Sequence, residues 1–91
     1  MKKSLEIKVF GKVQGVWFRK FTRKKALELE LEGFVKNMAD GSVLIRAQGD
    51  ETRLNHLVEW CSVGPDLAKV QRIEVSDCHT LNTNTFEIGE S

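Results

Sequence analysis

Gly11-Lys12-Val13-Gln14-Gly15-Val16-Trp17-Phe18-Arg19 holds a loop between two glycines and a closing arginine. Ahead of it, Leu5, Ile7 and Val9 alternate as in a half-buried strand. Behind it runs a stretch free of Gly and Pro that carries Phe21, Ala26 and Leu29. A strand, a glycine turn and a helix start form the setting in which free backbone N–H groups converge on an anion. Arg19, at the junction, adds a planar fork of donors that matches phosphate or carboxylate. These residue types in this order point to a small anion site, with phosphate the first candidate.

The neighbouring residues divide into contributors and bystanders. Arg19, Lys20, Arg23, Lys24 and Lys25 crowd the start of the helix, where the macrodipole disfavours each cation by about 0.3–1 kcal/mol. An anion bound at Arg19 would offset that, whereas the other four read as a solvated helix face. Gly11 and Gly15 allow positive φ and close approach of backbone to a ligand, although two glycines alone are a weak signal. Val13, Val16 and Phe18 read as wall and core. Gln14 reads equally as a ligand or as a brace for the loop. Trp17 reads equally as a packing residue or as part of the mouth of a site. Asn37, ahead of Asp40-Gly41, reads on its own as an ordinary turn asparagine, though an amide can also hold a water molecule.

The elements that must position these residues follow from the pattern. Residues 4–11 read as a strand and 19–31 as a helix. Residues 33–38 and 42–48 read as strands joined through Asp40-Gly41, a strong hairpin signal. Residues 51–63 read as a second helix, with Leu54, Leu57, Val58 and Cys61 on one face and Asp50 as its N-cap. Gly64-Pro65 stops it. Residues 69–76 read as a strand with a bulge among Val70, Ile73 and Val75, and 84–88 as a short last strand. The order β-α-β-β-α-β with one extra strand predicts an α+β, ferredoxin-like arrangement: two helices on one face of a mostly antiparallel sheet. We expect one domain over 1–91. The fold alone decides nothing about chemistry.

Composition narrows the function classes. The chain is 41% hydrophobic and 30% charged, ordinary values for a globular protein. A formal net charge of +1 argues against a partner bound by neutralising many nucleic-acid phosphates. No apolar run is long enough to span a membrane, and the N-terminus lacks the apolar core of a secretory signal. A cytoplasmic monomer without a nucleic-acid or membrane partner is expected. Cys61 and Cys78 are expected to be reduced thiols; a disulfide would need them close in space. With the two histidines they show no metal-ligand spacing, so no metal or cofactor is expected.

The run from Gly11 to Arg19, followed by Gly33-Phe34-Val35-Lys36-Asn37 and Asp40-Gly41-Ser42-Val43, resembles the acylphosphatase family. The resemblance extends through Gly49, Trp60-Cys61-Ser62-Val63-Gly64-Pro65 and Phe86-Glu87-Ile88, essentially the whole chain. It implies hydrolysis of the carboxyl–phosphate bond of acyl phosphates, such as acetyl phosphate, carbamoyl phosphate or a glycolytic acyl phosphate. Inorganic phosphate is the implied product, with no metal and no covalent phosphoenzyme. The family's catalytic arginine matches Arg19, and its water-orienting asparagine matches Asn37. Its phosphate-binding loop matches the backbone of Gln14, Gly15, Val16, Trp17 and Phe18. Phosphoryl transfer asks mainly for positioning and charge stabilisation, which such a set supplies.

Three positions depart from the family pattern. Phe34 stands where the family usually has Trp. Glu30 stands where it usually has Gly after the first helix; either Glu30 takes a positive φ at about 1 kcal/mol of strain, or the helix runs further. The tail, Glu87-Ile88-Gly89-Glu90-Ser91, lacks the basic residue often found there. Two other readings compete with the enzyme. An RNA-binding module shares the element order but needs exposed aromatics on the central strands, where Val43-Leu44-Ile45-Arg46-Ala47 has none. An accessory domain of a larger carbamoyl-phosphate-using protein would share the motifs; the length and the starting Met favour a free-standing enzyme.

Overall fold

Residues 2–89 are described by a computed structural model. Met1, Glu90 and Ser91 lie outside the described residues, and with the last two goes part of the reading of the tail. The chain runs β1 (Lys2–Lys12), α1 (Phe18–Glu28), β2 (Glu32–Asn37), β3 (Val43–Asp50), α2 (Glu51–Cys61), β4 (Lys69–Asp77) and β5 (Phe86–Ile88). The sheet order is β4-β1-β3-β2-β5. All pairings are antiparallel except β2 with β5, which is parallel. This is the predicted ferredoxin-like sheet with one edge strand added.

Period-two alternation sets the faces. Leu5, Ile7 and Val9 of β1, Val35 of β2, and Val43, Ile45 and Ala47 of β3 are buried towards the helices. On the opposite face Glu6 stands across from Arg46 and pairs with it at 2.9 Å, while the Arg72 guanidinium lies 4.0 Å from the centre of the Phe10 ring. Ala26 of α1 and Leu54, Leu57 and Cys61 of α2 complete the core.

The predicted bulge falls where β4 meets β1. Phe10 pairs with Arg72 and Gly11 with Val70, so Gln71 is the extra residue. That insertion brings Val70 onto the same face as Ile73, which explains their odd spacing. Gly11 itself sits at φ 129°, where a Cβ would meet the Lys69 carbonyl oxygen at 2.2 Å.

Both helices are shorter than their patterns predict. Asp50 caps α2 as expected, its carboxylate accepting from the backbone N–H of Thr52 and Arg53. α1 ends at Glu28, short of residue 31. The Glu30 N–H donates to the Leu27 carbonyl at 3.1 Å and the Leu31 N–H to the Ala26 carbonyl at 2.9 Å. That is a Schellman ending, with Glu30 as its left-handed residue at φ 57°. Of the two outcomes left open for Glu30, the positive φ is the one adopted. The turn drops Leu31 into the core, which continued helix would not do.

Cys61 is buried and Cys78 half-buried, and both are free thiols. Among the described residues no helix is long and apolar enough to cross a membrane.

Candidate active site

The loop between β1 and α1 is held from beneath. Val13, Val16 and Phe18 are buried, as their wall-and-core reading predicts, and the Phe18 ring packs 5.5 Å from that of Trp60 on α2. With these side chains turned inward, the loop presents outward its backbone and the exposed Trp17 side chain. Gly15 has φ 74° and Trp17 φ 65°, and Val16 between them keeps an ordinary negative φ. Alternating signs of φ turn successive N–H groups to the same side and make a concavity for an anion. Nothing lies within 4 Å of a Cβ built on Gly15, so the backbone conformation, not crowding, calls for glycine there.

Trp17 is also the N-cap of α1, and its side chain makes no capping bond. The first helical N–H groups have no intrahelical acceptor and none from the N-cap side chain, and the first turn carries no acidic residue. Arg19 sits in that turn, half-buried, and its Nη1 reaches the Gly89 carbonyl at a long 3.4 Å. The Gly89 N–H in turn donates to the Val35 carbonyl at 2.7 Å, so the end of β5 links the Arg19 side chain to β2.

Asn37 is the last residue of β2 and pairs with Val43 across the hairpin. Its Oδ1 is buried and has no hydrogen-bond partner among the described residues. A buried acceptor of this kind calls for an explanation, and a water or ligand group held in function is one. Gln14 ties the loop to this hairpin: its Nε2 donates to the carbonyls of Met38, at 2.8 Å, and Ser42, at 2.9 Å. Of its two readings, that is the geometry of a brace. The hairpin turn is fixed by Asp40, whose carboxylate accepts from the Ser42 hydroxyl and backbone N–H, and these bonds hold its pKa below the usual value.

One cleft of about 460 Å³ brings these parts together. Gly15, Arg19 and Asn37 line it, with Lys20 beside them. Val13, Trp17, Phe18 and Ile88 supply the remaining wall. Sequence reasoning missed Lys20 and Ile88 as cleft residues. Lys20 stays exposed, as a solvated face predicts, but its ammonium lies 5.4 Å from the centre of the Trp17 ring. Ile88 carries no local signal, because only the parallel pairing of β5 with β2 brings it there. Arg23 also departs from a purely solvated role: its Nε donates to the Phe86 carbonyl at 3.0 Å and ties α1 to β5. Among the described residues, no three His, Cys, Asp or Glu side chains gather as a metal site would need.

Fold and cleft together define a small ferredoxin-like α+β protein with a cationic cleft at a strand–helix junction. A family model described as Acylphosphatase matches residues 5–88. The chain is 46% identical over 86 residues to an acylphosphatase of Archaeoglobus fulgidus, covering 94% of this chain and 97% of that one. The solved structure of an acylphosphatase from Coxiella burnetii matches with a TM-score of 0.93 at 36% identity, over 97% of this chain and 93% of that one. The acylphosphatase from Bacillus subtilis matches with a TM-score of 0.91 at 39% identity, over 98% and 99%. The chain belongs to the acylphosphatase family and is a hydrolase of that family.

Proposed function

We propose that this protein hydrolyses the carboxyl–phosphate bond of small acyl phosphates, releasing a carboxylate and inorganic phosphate. The observation that carries the reading is that Arg19 and Asn37, distant in sequence, line one cleft beside the left-handed turn at Gly15. In this reading the backbone N–H groups from Gln14 to Phe18 and the Arg19 guanidinium hold the phosphoryl oxygens. They stand in place before the reaction, so the charge that develops in the transition state needs no reorganisation. The Asn37 amide, with Oδ1 free to accept, holds the attacking water in line with the leaving group.

The water oxygen forms a bond to phosphorus as the bond from phosphorus to the carboxyl oxygen breaks. The electron pair of that bond leaves with the carboxylate, which is stable enough to depart without a strong general acid. An amide is a very poor base, so both water protons end on the phosphate released. No carboxylate pair or histidine is needed, which suits a cleft whose only ionisable lining side chains among the described residues are Arg19 and Lys20.

The test is hydrolysis of benzoyl phosphate by purified protein in EDTA, for the wild type and for Asn37→Ala. Turnover that survives EDTA in the wild type and is lost in the variant is expected. A wild type that binds phosphate without turning over substrate would overturn the reading.

A further inference from the structure

Trp17 stands where its own backbone gives it no advantage. At φ 65° a bulky residue is strained and glycine would be at ease. The indole makes no capping bond, stays 63% exposed and lies outside the buried core. Fold stability does not account for it. Trp17 instead lines the cleft, with the Lys20 ammonium 5.4 Å from the centre of its ring, and also borders a neighbouring hollow with Phe21 and Trp60. Ile88 repeats the pattern: it lines the same cleft at 43% exposure, carried there by β5 pairing as far as Val35.

The cleft thus has two kinds of wall. Among the described residues its polar groups are Arg19, Lys20, Asn37 and the loop backbone, and the other side chains that line it are apolar. A phosphoryl group would occupy the first set and leave the acyl end of the substrate against the second. Exposed apolar side chains in a concave site with a few convergent polar groups are the usual makeup of a ligand pocket. An indole face stacks well on an aromatic ring and covers a bulky alkyl chain, but gains little from a single methyl.

We propose that Trp17 and Ile88 form an acyl subsite, which tunes the enzyme towards acyl phosphates with a bulky apolar or aromatic acyl group. The proposal rests on the acyl phosphate reading of the cleft given above.

The test compares kcat/KM for benzoyl phosphate and acetyl phosphate in the wild type, Trp17→Gly, Trp17→Phe and Ile88→Ala. Glycine suits the backbone at position 17, so the first variant removes the ring without adding strain. The ratio of the two kcat/KM values cancels effects on phosphate binding that both substrates share. Trp17→Gly and Ile88→Ala are each expected to lower the ratio by about fivefold or more, mainly through the KM for benzoyl phosphate. Trp17→Phe should restore most of the loss. A ratio that stays the same in both truncating variants overturns the subsite and leaves the hydrolysis standing. A wild type that hydrolyses neither substrate overturns the hydrolysis, and the subsite falls with it.

Discussion

Arg19 and Asn37 face the same cleft with different chemistry, and this makes their roles separable. A guanidinium offers a rigid pair of donors to a phosphate, whether or not anything reacts. An amide that positions water matters only when water attacks. Arg19→Ala is therefore expected to lose phosphate binding and turnover together. Asn37→Ala should lower kcat by about 10²–10³, the scale of removing one positioned polar group, while phosphate affinity changes little. Arg19→Lys should rescue poorly, because a point charge does not reproduce the fork. Calorimetric titration with inorganic phosphate, set beside kcat, reads all three; equal loss of binding in Arg19→Ala and Asn37→Ala sinks the division. The same contrast explains what the sequence shows at this scale. The turn glycines and Arg19 are legible because strand, turn and helix start are local. Asn37 by itself looks like a turn residue, and only the family resemblance singles it out. Its unpartnered Oδ1 and the Gln14 bonds that tie its hairpin to the loop arise from contacts across the fold.

The strands and helices were legible where periodicity is strong and less so at their ends. Apolar alternation places β1 and the β2–β3 hairpin, and the Asp50 cap starts α2 where its pattern says. The end of α1 is ambiguous in Leu29-Glu30-Leu31 because those residues keep helical spacing; the turn becomes visible only once Leu31 is seen to fill the core. Glu30 bears the consequence, a left-handed conformation that costs a non-glycine residue roughly 1–2 kcal/mol. Its ion pair with Arg53, at 2.9 Å with the Glu30 side chain 73% exposed, recovers only a fraction of that. Glu30→Gly should therefore stabilise the fold by about 0.5–1 kcal/mol despite losing the pair, whereas Glu30→Ala keeps the strain and loses the pair. Thermal unfolding of the two variants should differ by several degrees, with glycine the higher, since 1 kcal/mol moves Tm by roughly 4–8 °C at this size. Equal midpoints would mean that the turn is not strained.

At the scale of the whole molecule, the cleft and the core are linked through folding. β1 is an interior strand, pairing with β3 on one side and β4 on the other, and α2 packs across β1 and β3. Cys61 ends α2 fully buried, and burial pushes its thiol pKa up to about 12. A disulfide reagent near neutral pH should then modify the half-buried Cys78 directly, but Cys61 only when the helix leaves the sheet. A ligand that binds only the folded state lowers the population of such openings by a factor of 1 + [L]/Kd. Inorganic phosphate at ten times its Kd should thus slow Cys61 modification about elevenfold, in the regime where reclosing outpaces labelling. Cys78 should be unaffected, and Arg19→Ala should abolish the effect on Cys61. If phosphate binds but Cys61 reacts at an unchanged rate, α2 opens without disturbing the loop held by Phe18 against Trp60. The anion site and the core would then be separate units of stability, although that ring contact ties them together in the folded state.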